Sequence, residues 1–257
     1  IDLERGRLAA DRFDEPGRFS AFAGYEWTSM PDGDNLHRIV MFADGAELTR
    51  QVLPFTALDG LDPEALWAYL ADYEKRTGGQ ALAIPHNSNV SGGLMFRPLD
   101  FSGAPFDKDY AARRARWEPL VEVTQIKGDS ETHPLNSPND EFAGYEVWDR
   151  ANLGMRHAQT PEMQPYQYAR AALRIGLAEQ ARLGVNPLAF GMIGSTDSHT
   201  GMATAEEENF FGKHSGVEPE PHRWEHEVIA APDPKLTVMG WQQAASGYAA
   251  VWAADNT

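Results

Sequence analysis

Short apolar runs alternate with amphipathic helical stretches along this chain, and that alternation limits the fold to the α/β class. The runs are Phe19 to Trp27, Leu36 to Phe42, Ala81 to Pro85, Pro119 to Ile126 and Ala189 to Gly194. Between them, Asp62-Pro63-Glu64 opens a helix as N-cap, first-turn proline and first-turn acid. Leu66, Tyr69, Leu70 and Tyr73 continue it as one apolar stripe, and Gly78-Gly79 stops it. Further helices are expected over Leu3 to Phe13, Asp109 to Trp117 and Tyr166 to Leu183. Strands separated by helices predict a mostly parallel sheet with working residues at the strand exits.

Ligand-type residues sit at or near those exits. Glu26 lies in Gly24-Tyr25-Glu26-Trp27, His86 follows Ile84-Pro85, Glu122 lies within Leu120-Val121-Glu122-Val123, and Asp197-Ser198-His199 follows Gly194. Asp197 and His199 are two apart, so extended backbone turns both to one side, where a carboxylate and an imidazole can meet one cation. Each has a plainer reading. Asp197 could form an Asx-turn beside an exposed His199, and His86 could be a hydrogen-bonded core histidine. Glu26 could pair at a sheet rim, and Glu122 could pair with Arg113 or Arg116. Their joint placement at one rim is what points to a shared metal.

Two other segments offer polar groups. Gln125 to Pro134 carries Lys127, suited to an anionic substrate, and His133, a ligand or proton donor; a solvated surface turn is the alternative. His37-Arg38 opens a strand with an imidazole and a guanidinium, the latter suited to a phosphate or carboxylate fork or to a structural ion pair. Asn87, in the polar loop after His86, joins His37, Arg38 and Lys127 as a candidate substrate contact.

Composition narrows the chemistry. The chain has 257 residues, no cysteine and a net charge of −16. Thiolate chemistry and cysteine-based zinc sites are excluded, so a metal centre must use His, Asp and Glu. The negative charge disfavours nucleic acid and anionic lipid, and no apolar run approaches the roughly 18 residues of a membrane span. A small anion can still bind where metal ions supply positive charge. No phosphate-cradling Gly-rich loop and no Gly-x-Ser-x-Gly elbow is present. Residues 202–235, including Glu206 to Glu208, His214, His222 and His226, read as a polar, exposed excursion.

Gly24 to Thr28, Asn35 to Arg38, Pro85 to Asn87, Gln125 to Pro134 and Gly194 to His199 together resemble an uncharacterised bacterial family, a domain of unknown function. That family is similar to the PHP (polymerase and histidinol phosphatase) superfamily, and the resemblance covers most of the chain. It implies one domain over residues 1–257 with a distorted (β/α)7 TIM-type barrel. Up to three divalent ions (Mn, Zn or Fe) are implied at its mouth, with phosphoester hydrolysis by a metal-activated hydroxide. Glu26, His86, Glu122, Asp197 and His199 resemble the metal ligands, with Asp197, His199 and His133 at the reacting centre. The superfamily's opening His-x-His is absent from this chain. The resemblance therefore implies either that strands and ligands lie upstream of Ile1 or that this is a degenerate member. A small anionic substrate and a bacterial cytoplasmic or periplasmic location are the matching expectations. The rival readings are hydrolysis of another ester or amide, and a metal-poor barrel acting as a binding module.

Overall fold

The computed structural model describes residues 3–197, 199, 221–244, 247, 249, 252 and 254. It opens with helix α1 (Leu3–Phe13), followed by strands β1 (Ala23–Trp27) and β2 (Arg38–Phe42) and the short helix α2 (Ala46–Thr49). Helix α3 (Pro63–Thr77) has the boundaries its punctuation predicts. Asp62 accepts from the Glu64 N–H at 2.8 Å, and Gly78 ends the helix in the left-handed conformation at φ 73°. Strand β3 (Ala81–Pro85) follows, then α4 (Lys108–Trp117), capped by Asp107, and β4 (Leu120–Gln125). The two-residue strand β5 (Gly128–Asp129), helix α5 (Ala169–Leu183) and strand β6 (Gly191–Gly194) lead to the Asp-x-His segment.

The strands form a sheet of order β1-β2-β3 and another of order β5-β4-β6. The architecture is mixed α/β on small sheets, and the strand pairs among the described residues do not close into a ring. The first sheet departs from the parallel expectation, since β1 pairs with β2 and β2 with β3 antiparallel. Residues 28–37 form a connection shorter than the dozen or so residues a parallel crossover needs. Among the described residues, only β4 and β6 pair in parallel, across the α5 crossover.

One face of the first sheet is packed. Trp27, Val40, Phe42, Ala81 and Ala83 meet Leu66, Trp67, Leu70 and Tyr73 of α3, with Phe106, Tyr110 and Trp117 closing the cluster. Full burial of each large side chain there is worth about 1.5–3 kcal/mol. A second cluster sets Val121 of β4 and Ala169 and Ala172 of α5 against Leu36, Met95 and Phe96. The other face of β1-β2-β3 carries Gly24, Glu26, Ile39, Met41, Leu82 and Ile84, and Ile39 remains 36% exposed.

The expected excursion divides. Its residues 202–220, with Glu206 to Glu208 and His214, lie outside the described residues. Its later part contains strand β7 (Glu227–Ile229), paired with β8 (Val238–Met239), and Val238 packs with Ala151 and Met155. His222 and His226 are exposed. Among the described residues, no helix is long and apolar enough to cross a membrane.

Candidate metal centre

The register of the first sheet assembles three donors. Glu26 pairs with Ile39 and Arg38 pairs with Pro85, so His37 stands one step beyond the end of β2 and His86 one step beyond β3. Side chains two positions apart share a face, which places His37 on the face of Ile39 and Glu26. The His86 N–H donates to the His37 carbonyl at 3.4 Å, carrying the ladder past its last strand pair. Glu26, His37 and His86 then each offer a ligand atom, all within 4.8 Å of one another.

The carboxylate is the hub. Glu26 Oε1 lies 3.0 Å from His37 Nδ1 and 2.9 Å from His86 Nε2, within reach of both imidazole N–H groups. The side chains are 31%, 14% and 3% exposed for Glu26, His37 and His86, so the group opens to solvent on the Glu26 side. Burial alone pushes the Glu26 carboxyl up. The hydrogen bonds and charges of His37 and His86 outweigh it and hold that carboxyl far below the ordinary carboxylate range. Burial lowers the His37 pKa, and Lys127 adds to the lowering, against the opposing pull of Glu26. An ionised carboxylate and a neutral imidazole are the forms that bind a divalent ion.

The neighbouring turns are cross-braced. Asn35, fully buried, donates to the carbonyls of His86 and Asn87 at 2.7 and 3.1 Å. Asn87 adopts a left-handed φ of 48°, a region asparagine enters more readily than most residues, directly after His86. Its Oδ1 accepts from Gln125 at 2.6 Å, and Gln125 Oε1 accepts from the Lys127 N–H at 2.9 Å. The Lys127 ammonium contacts Asp197, which also lies 3.4 Å from His199 Nε2. Asp197 is left-handed too, at φ 51°. Lys127 thus contacts Asp197 and lies close enough to His37 to act on its charge.

The remaining candidates fall elsewhere. Glu122 is 6% exposed and accepts from Ser195 Oγ at 2.5 Å, while Arg113 pairs with Asp109 and Arg116 with Glu74. Among the described residues, Glu122, Asp197 and His199 are not in the three-residue donor group. His133 lies 3.2 Å from Asp149 and accepts from the Leu135 N–H, away from that group. Asp129, one turn earlier, accepts from the Glu131 and Thr132 N–H groups, and burial pushes it up to about 6.

Of the two readings open for Arg38, the structure shows the ion pair: period-two alternation turns it to the packed face, where it is 2% exposed. Its Nε donates to Glu118 at 3.0 Å and its Nη1 to the Leu36 carbonyl at 2.5 Å. Arg114 lies 3.3 Å from the other Glu118 oxygen, and Trp67 donates to Glu118 at 3.0 Å. Burial alone raises the Glu118 carboxyl, but Arg38 and Arg114 hold it below its ordinary range. This buried triad braces β2 against α3 and α4. His37 is the residue whose role the sequence understated. A signal for it exists: a histidine at the start of an apolar run, two positions from Ile39 on the face of Glu26.

The donor set suits a divalent ion. Two imidazoles and one carboxylate favour Zn, Mn or Fe over Mg or Ca, and three protein ligands leave positions open. His37 Nε2 and His86 Nδ1 are buried without a hydrogen-bond partner among the described residues. These outer ring nitrogens therefore lack the protein acceptor that usually orients a metal-bound histidine.

The family model described as "Protein of unknown function (DUF3604)" matches residues 4–257. No curated protein and no solved structure matches the chain.

Proposed function

The chain belongs to that family, and from its donor geometry we propose that it is a metal-dependent hydrolase acting on a small anionic phosphoester. The observation that carries this reading is the group of Glu26, His37 and His86, three ligand atoms within 4.8 Å at the open end of one sheet. When bound, a divalent ion supplies Lewis-acid charge and lowers the pKa of a water in its open position. The likeness to the PHP superfamily belongs to this reading, as does a barrel completed around the two sheets, which lie side by side at β3 and β4.

The chain's own residues have separable parts in it. Glu26 stays ionised and burial disfavours the charged form of His37; a bound ion would replace the N–H contacts of the two imidazoles to Glu26. Lys127 places positive charge near His37 in a chain of net charge −16, which favours an anionic group there over a neutral one. Asp197 contacts Lys127 and lies beside His199, whose side chain is 48% exposed. In this reading His199 gives a proton to the departing oxygen, and Asp197, 3.4 Å from its Nε2, orients the ring.

The test is metal analysis of the purified chain and of Glu26→Gln, His37→Ala and His86→Ala, alongside turnover of nitrophenyl phosphates, acetate, sulfate and anilide. Stoichiometric metal lost in all three variants, with phosphate esters preferred, supports the proposal. Metal content indifferent to all three substitutions would sink it. Preferred turnover of the acetate or the anilide would move the chemistry to another ester or to an amide.

A further inference from the structure

Away from the donor group, a cavity of about 220 Å³ opens among Val90, Trp148, Arg150, Met155, Leu236 and Trp241. We infer that it is a binding site for a small planar aromatic carboxylate.

The walls select for a flat apolar body. Trp148 uses its single donor within the protein, Nε1 to the Gln242 carbonyl at 2.8 Å, so it offers the ligand a ring face. The Gln242 Oε1 is likewise taken, by the Met239 N–H at 3.0 Å. Val90, Met155 and Leu236 bring no hydrogen-bonding side chain. Trp241 stands at the mouth, 64% exposed, where it can close over a ring. The volume is below the roughly 300 Å³ at which drug-sized sites begin, which suits one or two fused rings.

The rim selects for an anion. Arg150 is exposed, and its guanidinium makes no ion pair or hydrogen bond among the described residues. In a chain with 38 acidic and 22 basic side chains, that places local positive charge on an otherwise apolar opening. A carboxylate can take two parallel N–H bonds from such a fork.

The Trp148 wall is held by packing and hydrogen bonds. Gly128 has φ +99°, and a Cβ there would stand 2.9 Å from Trp148 Cβ, so only glycine lets the β4–β5 turn pack on this wall. Asn89 donates to the carbonyls of both Lys127 and Trp148 at 3.0 and 3.3 Å. Binding here is independent of the proposed hydrolysis and holds or fails without it.

The test is calorimetric titration of the chain with 2-naphthoate and with the neutral 2-naphthalenemethanol, repeated on Arg150→Gln and Trp241→Ala. Both substituted side chains are exposed, and circular dichroism checks that the fold is kept. One naphthoate per chain is expected. Arg150→Gln should weaken naphthoate about tenfold, the scale of a charge-assisted bond, and leave the alcohol unchanged. Trp241→Ala should weaken both. Absence of saturable naphthoate binding, equal affinity for acid and alcohol, or indifference to Arg150→Gln would overturn the assignment.

Discussion

The backbone of His86 is hydrogen bonded to that of His37 one step past the end of the β2–β3 ladder, and both rings reach the same oxygen of Glu26. Antiparallel pairing sets three residues far apart in sequence on one face. A one-residue slip of β2 would turn His37 into the core and bring Arg38 to the site.

His37 is therefore expected to matter as much as His86 for metal affinity. His37→Ala and His86→Ala should each weaken zinc binding by about 100-fold or more, since each removes one of three ligands. His133→Ala, whose ring pairs with Asp149, should leave it within about twofold. Competition titration against a chromogenic chelator measures all three, and a larger effect at His133 than at His37 would contradict the ligand set.

Lys127 is expected to govern substrate charge. Lys127→Met should raise KM for a phosphate monoester about tenfold, the cost of one charge-assisted contact, and leave a neutral ester nearly unaffected. Equal effects on both esters would assign Lys127 to holding Asp197 instead.

The buried triad is expected to carry stability. Glu118→Leu leaves Arg38 and Arg114 without their shared carboxylate, at a cost of about 3–5 kcal/mol. Urea unfolding measures it; a loss below about 1 kcal/mol would show that the two guanidinium groups find other partners.

Glu64 is expected to make stability depend on pH. Burial, with a further contribution from Asp62, raises its carboxyl to about 7. The folded state therefore binds more protons than the unfolded chain between the ordinary glutamate range and pH 7. The stabilisation is complete below that ordinary range and is lost as pH rises through about 7. Glu64→Gln should be the more stable protein at pH 8, by about 1–2 kcal/mol after solvent screening. The difference should shrink towards pH 4. Thermal melts at both pH values decide it, and a gap that widens in acid would reverse the sign.

Several local features are legible along the chain itself. Asp62, Pro63 and Gly78 bound α3 because capping acts over neighbouring residues. Ala81–Pro85 is the strand its apolar run predicts, and His86 lies at its exit. The partners of these residues are not legible in the same way. Arg38 and Glu118 are 80 positions apart, and nothing near Arg38 distinguishes a substrate fork from a buried ion pair. Glu122 reads as a ligand because a carboxylate in an apolar strand needs a partner, and the structure gives it Ser195.

Neighbouring residues alone thus fix where most helices and strands begin and end, and that Glu26 and His86 stand near strand termini. Caps, turns and apolar periodicity are interactions between residues a few positions apart, so they can be read in order. Long-range packing sets the rest: that β1, β2 and β3 run antiparallel, that His37 joins Glu26 and His86, and that Arg38 faces the core. Alternation in a strand leaves two faces open to either set of side chains. Only burial of Trp27, Val40 and Phe42 against α3 fixes which face turns inward.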